Sequence, residues 1–187
     1  MINREQFFTT VRAEFGPLNQ SQVDGFNAIL DGAPLDILPG QLAYVLATCW
    51  HETAATMQPI EEYGKGKSRP YGKRLKMSGA AYKDTEAIFY GRGFVQLTWY
   101  ENYEKAGKKL GTDFMHTPEG VMEMDNAVKI LFMGMIEGWF TGKKLSTYIN
   151  ADKVDFINAR RVINGTDKAG LIAGYADKFL EAMISGV

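Results

Sequence analysis

Two carboxylate positions set the chemistry that this sequence can do. Glu52 ends the apolar run Leu42-Ala43-Tyr44-Val45-Leu46-Ala47-Thr48-Cys49-Trp50-His51, and the pair Glu61-Glu62 stands on a polar stretch after Pro59. A carboxyl group against apolar side chains is disfavoured as an anion and holds a proton near neutral pH, whereas one among polar neighbours and solvent stays charged. A proton donor and a base of this kind are what acid/base cleavage of a glycosidic bond requires. Glu52 is therefore expected to be the general acid, with a surface carboxylate at a helix end as the plain alternative. The base is expected to be one of Glu61 and Glu62. Adjacent side chains point in different directions, so only one of them faces a substrate, and the residues alone do not say which.

A second stretch has the composition of a polymer-binding wall. From Tyr90 to Tyr103 the chain offers the rings of Tyr90, Trp99, Tyr100 and Tyr103, the polar side chains of Arg92, Gln96, Thr98 and Asn102, and Gly91 and Gly93, which allow close backbone approach. Sugars stack their flat faces on aromatic rings and share their hydroxyls with such groups. About half of those rings would serve equally well as ordinary core. Lys65, Lys67, Arg69, Lys73, Arg74 and Lys76 form a basic run with no acid between them. It reads as a solvated loop, or as a rim that attracts an anionic polymer.

Mostly helical elements would position these groups. Phe7, Val11 and Phe15 recur at helical spacing, and so do Val23, Phe26, Ile29 and Leu30 after the capping-type Ser21-Gln22-Val23-Asp24. Pro39-Gly40 opens a third helix, with Leu42, Val45, Leu46 and Cys49 on one face and Glu52 half-buried near it. From Tyr63 to Gly93 frequent Gly and Pro break the pattern into a loop-rich lobe with short strands at most. Helical spacing returns with Val128, Leu131, Phe132, Met135 and Trp139, and again with Leu171, Ile172, Tyr175, Phe179, Leu180 and Met183. The expectation is one catalytic domain over residues 1–187, mainly α, with a large helical lobe of about 1–55 and 100–187 and a small loop-rich lobe of about 56–99 around a cleft. With 187 residues, the chain can bury roughly 70% of its unfolded surface in such a domain.

Composition narrows the classes further. Hydrophobic residues make up 45% and charged residues 23%, which suits a globular domain. A net charge of -1 gives no general attraction to nucleic acid. No apolar run reaches the roughly 18 residues that a bilayer span needs, so no stable membrane insertion is expected. The N-terminus lacks the basic, apolar and small-residue regions of a secretory signal. The single cysteine, Cys49, leaves no pair for a disulfide and sits in an apolar setting that favours packing over thiol chemistry. A zinc peptidase would need a second histidine where Ala55 stands, and the earlier glycine of a phosphate loop ending in Gly66-Lys67-Ser68 would fall on Glu61. No metal and no cofactor are expected.

Three segments together resemble glycoside hydrolase family 19, and in particular its bacteriophage endolysin branch. They are His51-Glu52-Thr53, the stretch Tyr90-Gly91-Arg92-Gly93-Phe94-Val95-Gln96-Leu97-Thr98-Trp99 with Asn102-Tyr103, and Ala159-Arg160-Arg161-Val162-Ile163-Asn164-Gly165. Leu18 to Gly25 and Trp139 to Leu145 are also similar to those endolysins. The resemblance implies a lysozyme-like fold of the α+β superfamily and an inverting mechanism with no metal or organic cofactor. Its two carboxyl groups would stand about 6.5–9.5 Å apart to admit water. It places Glu52 at the general acid and Glu61, rather than Glu62, at the second catalytic glutamate. Thr98 falls where a hydroxyl helps to hold the attacking water, and Gln96, Asn102 and Asn164 fall at sugar-binding or site-ordering positions.

This sequence departs from the plant-type chitinases of that family, because Thr53 is followed by Ala54-Ala55-Thr56 and Glu61 comes nine positions after Glu52 (52 to 61). That spacing and the lack of disulfides suit a monomeric peptidoglycan lysin made in a reducing host cytoplasm and acting at the cell wall after release. The expected function is host lysis by hydrolysis of β-1,4 bonds in peptidoglycan, with the muramic acid to glucosamine linkage preferred. Substrate-binding residues would be Tyr90, Arg92, Gln96, Trp99, Asn102, Tyr103 and Asn164. The alternatives are a chitinase and a non-catalytic glycan-binding phage structural module.

Overall fold

The computed structural model describes residues 2–184; Met1 and Ser185 to Val187, the ends of the expected single domain, lie outside the described residues. Seven α-helices and one two-stranded sheet order the described chain. It divides into two compact units, Met1–Met57 with Phe132–Val187, and Gln58–Leu131.

The first unit is helical. It contains α1 (Arg4–Phe15), α2 (Gln20–Asp31), α3 (Pro39–Glu52), the one-turn α6 (Phe156–Ala159) and α7 (Ala169–Ile184), while the boundary at Leu131 falls within α5 (Met124–Glu137). The start of α2 differs from the sequence reading. Asn19, not Ser21, is the N-cap, accepting from Gln22 N at 2.9 Å while the Gln22 side chain accepts from Asn19 N at 2.9 Å. A capping box therefore forms, two residues earlier than the serine signal suggested.

Helix α3 packs on α7, which also receives α1 and α6. The sequence reading gave α3 one apolar face, yet Ala43, Tyr44, Ala47 and Thr48 are buried along with Leu42, Val45, Leu46 and Cys49. A helix that is apolar all round is a core helix, and the small side chains of Ala43 and Ala47 let neighbours pack against the rest of its circumference. Around it Phe15 and Phe26 meet Phe179 with ring centroids at 4.8 and 5.6 Å. The buried rings of Phe26 and Phe179 each contribute about 1.5–3 kcal/mol of apolar burial. Helix α7 follows its predicted periodicity, except that Leu171 is exposed.

The second unit holds most of the irregular chain. Strands β1 (Ile60–Glu61) and β2 (Arg92–Gly93) pair antiparallel with Glu61 opposite Arg92, and α4 (Tyr100–Leu110) follows. The sequence reading did not single out α4. Its core side joins the rings of Tyr82, Phe89, Tyr100 and Tyr103, whose neighbouring centroids lie 4.9–5.6 Å apart. Three of the four expected binding-wall aromatics, Tyr90, Tyr100 and Tyr103, are buried.

Candidate active site

Glu52 is the last residue of α3, where the buried helix emerges. The turn beyond it is tied down at several points. Thr53 donates its hydroxyl to Cys49 O at 2.7 Å and accepts from Met57 N at 3.1 Å, and Gln22 Nε2 donates to Ala55 O at 2.8 Å. Ala54, Ala55 and Met57 take positive φ of 49°, 64° and 53°, conformations that disfavour side chains with a Cβ and persist only where the surroundings over-determine them. Gly25 of α2 permits this docking, since a Cβ there would lie 1.8 Å from Met57 O.

The carboxylate of Glu52 is 18% exposed and bonds through Oε1 to Nη1 of Arg160 at 2.5 Å. Arg160 is 4% exposed, and its Nε donates to Asp167 O at 3.0 Å, so the guanidinium is held from both ends. Glu52 is half-buried, as its place on the helix implied, but its surroundings are not simply apolar. The sequence reading missed this partner. Arg160 lay inside one of the recognised segments, but nothing in a single sequence pairs positions 52 and 160. Tyr44 precedes Glu52 by two helical turns; its hydroxyl is buried without a hydrogen-bond partner, and burial pushes its pKa up.

In the second unit Glu61 and Glu62 separate cleanly. Glu62 accepts from Tyr71 Oη at 3.0 Å and from Gly91 N at 3.1 Å, while its own N donates to Gly91 O at 2.7 Å. It is a structural clasp. The Glu61 side chain is 34% exposed; Oε1 accepts from Tyr90 Oη at 2.6 Å and from Arg92 Nε at 3.3 Å, and Oε2 lies 3.2 Å from Lys65 Nζ. The bond from Tyr90, with those from Lys65 and Arg92, holds the Glu61 carboxyl below the usual range and outweighs its partial burial. The basic run therefore spends Lys65 on Glu61, and Arg74 on Glu86 at 2.6 Å.

The remaining candidates divide between surface and interior. Gln96, at φ 53° in the tight turn that brings Leu97 back to Arg92, donates Nε2 to Ile60 O at 3.1 Å. Gly93, at φ 88°, begins that turn, and Gly91 admits the Gln96 side chain, whose Oε1 would lie 2.7 Å from any Cβ there. Thr98 is half-buried, and so is Trp99, whose ring meets Tyr71 edge-on at 5.3 Å. Asn164 is exposed in the first unit and accepts from Gly165 N at 2.8 Å. Three of the expected sugar contacts are largely buried. Tyr103 is fully buried, Arg92 is 3% exposed and Asn102 is 9% exposed, so little of these side chains reaches the surface of their unit. Tyr90, 6% exposed, likewise spends its hydroxyl on Glu61. No group of three or more His, Cys, Asp or Glu that could hold a metal occurs among the described residues.

Comparison with known proteins gives a consistent picture. The model of glycoside hydrolase family 19, chitinase class I, matches residues 41–161, a stretch that includes Glu52, Glu61, Thr98 and Arg160. An endochitinase of Avena sativa is 33% identical over 90 residues, 46% of this chain and 40% of that protein, so the match spans less than half of the relative. Among solved structures, chitinase C from Streptomyces griseus superposes with a TM-score of 0.68 at 22% identity, covering 97% of this chain and 76% of the other. A class IV family 19 chitinase from Zea mays gives 0.60 at 16% identity, with coverage of 95% and 90%. Both likenesses speak for the fold, the mainly helical lysozyme-like architecture that the sequence implied.

Proposed function

Because this chain belongs to glycoside hydrolase family 19, we propose that it is a phage endolysin that hydrolyses β-1,4 glycosidic bonds of bacterial peptidoglycan by inversion, with Glu52 as general acid and Glu61 as general base. The observation that carries the assignment is the contrast between the two adjacent carboxylates, with Glu62 locked in backbone and tyrosine bonds and Glu61 partly open and kept charged. Glu52 would deliver its proton to the leaving glycosidic oxygen as the bond from C1 breaks. Glu61 would take a proton from the water whose oxygen forms the new bond to C1, and Thr98 would help to orient that water. With Oε1 of Glu52 committed to Arg160, Oε2 is the oxygen that carries the transferable proton. The half-buried Gln96 and Trp99 and the exposed Asn164 would contact sugar.

The endolysin reading is supported by the similarity of residues 18–25 and 139–145 to that branch, by the short step from Glu52 to Glu61, and by Cys49, which has no disulfide partner. A chitinase is the second reading, favoured by the match to an Avena sativa endochitinase. The discriminating experiment incubates the protein in parallel with purified peptidoglycan and with soluble chitin oligomers and reads the products by mass spectrometry. Fragments with a new muramic acid reducing end support the proposal. Cleavage of chitin oligomers alone would replace it with the chitinase reading.

A further inference from the structure

Arg92 was expected to bind sugar, yet its side chain is 3% exposed and is held by several partners of its own unit. Nη1 donates to Ile88 O at 3.1 Å and to Tyr103 Oη at 3.0 Å, Nε donates to Glu61 Oε1 at 3.3 Å, and the guanidinium lies over the Tyr90 ring at 3.6 Å from its centroid. Tyr90 in turn donates to the same Oε1 at 2.6 Å. Nη2 faces Glu119 at 3.9 Å, a side chain that is 72% exposed. A planar guanidinium stacked on one tyrosine and bonded to another has little freedom, so whatever it holds is held rigidly.

The two oxygens of Glu61 are thus in unlike settings. Oε1 takes two bonds from nearly buried donors, whereas Oε2 meets the Lys65 ammonium, whose side chain is 63% exposed. An exposed ammonium on a flexible stem exchanges readily with water, and such a pair holds its partner weakly. The buried bonds do not exchange in that way. We propose that Arg92 and Tyr90 form a buried clamp that fixes Oε1 of Glu61 and so makes Oε2 the oxygen that accepts the proton from water, with both clamp residues acting as positioning residues. The inference rests on the reading of Glu61 as the base.

The charged and titratable groups around the carboxylate are Tyr90, Arg92 and Lys65, with Tyr103 and Glu119 behind Arg92. Removing the bond from Tyr90 raises the affinity of Glu61 for a proton. Since the base works only when ionised, the acid edge of activity then moves to higher pH. The test measures kcat and KM against pH for Tyr90→Phe, Arg92→Lys, Lys65→Met and Glu61→Gln on whichever soluble oligomer the parent enzyme cleaves, with thermal unfolding as the check on folding. Tyr90→Phe deletes one hydroxyl and keeps the ring under Arg92, so it remains informative if Arg92→Lys does not fold.

The expected result for Tyr90→Phe is a kcat lower by about 10-fold, KM within about twofold of the parent, and an acid edge displaced upward by more than in Lys65→Met. A Tyr90→Phe enzyme with the parent's kcat and acid edge would overturn the clamp, and so would a larger displacement in Lys65→Met. Glu61→Gln separates the two levels of the argument. If that variant keeps its turnover, the assignment of the base fails; if it is inactive while Tyr90→Phe is unaltered, only the clamp fails.

Discussion

Oε1 of Glu52 and Nη1 of Arg160 stand 2.5 Å apart although 108 positions separate them in the chain. The contact joins the C-terminus of the core helix α3 to the turn after α6, and it gives the proposed acid a fixed orientation. Arg160 is 4% exposed, so it depends on this carboxylate to balance its charge.

The two residues therefore respond differently to substitution. Glu52→Gln keeps an oxygen that can accept from Arg160 but removes the charge opposite the guanidinium as well as the transferable proton, so some stability should be lost while turnover falls roughly 100-fold or more. Arg160→Met should lose activity and also stability, by about 2–3 kcal/mol, less than the full cost of breaking a buried pair because Glu52 is 18% exposed. Chemical denaturation of both variants checks the contrast, and equal stability losses would remove Arg160 as the holder of Glu52.

Glu61→Gln and Glu62→Gln are expected to fail in different ways. The first should lose turnover in a stable protein. The second should mainly lower the melting temperature, because Tyr71 and Gly91 N lose their charged acceptor. Turnover lost in a stable Glu62→Gln protein, with Glu61→Gln active, would move the base to Glu62.

Gly25→Ala is expected to destabilise the first unit by about 1–3 kcal/mol or more, since the new Cβ would sit 1.8 Å from Met57 O and must push the 53–57 turn off α2. Activity should fall with it, because that turn fixes the end of α3. An unchanged melting temperature would show that the turn is free to move.

Cys49 is fully buried and its thiol is pushed well above its usual pKa, first by burial and then by the nearby charge of Glu52. Only the thiolate reacts readily with alkylating agents or disulfide reagents. The native protein should therefore resist labelling near neutral pH and react at the rate at which it unfolds. Prompt labelling under native conditions would contradict the packing of α3.

Much of this arrangement is legible in the sequence because it follows from local pattern. The apolar residues of α1, α2 and α7 recur every three to four positions, Pro39-Gly40 announces α3, and the glycines from 64 to 93 announce irregular chain. Glu52 could be placed near a buried face because position along a helix fixes direction. What could not be read depends on contacts distant in sequence. The pairing of Arg160 with Glu52, the inward turn of Arg92 and the commitment of Glu62 to Gly91 all arise from tertiary packing. Tyr103 and Asn102 illustrate the same limit, since aromatic and amide side chains suit a sugar or a core equally well, and here the helix α4 turns them inward.

The most direct measurement is proton NMR of the product formed in the first moments of cleavage of a β-linked oligomer, before the new reducing end mutarotates. An acid at Glu52 and a base at Glu61 that activates water require the α-anomer to appear first. Initial release of the β-anomer would contradict the account, because it would make one of these carboxylates a nucleophile or assign the reaction to a different pair.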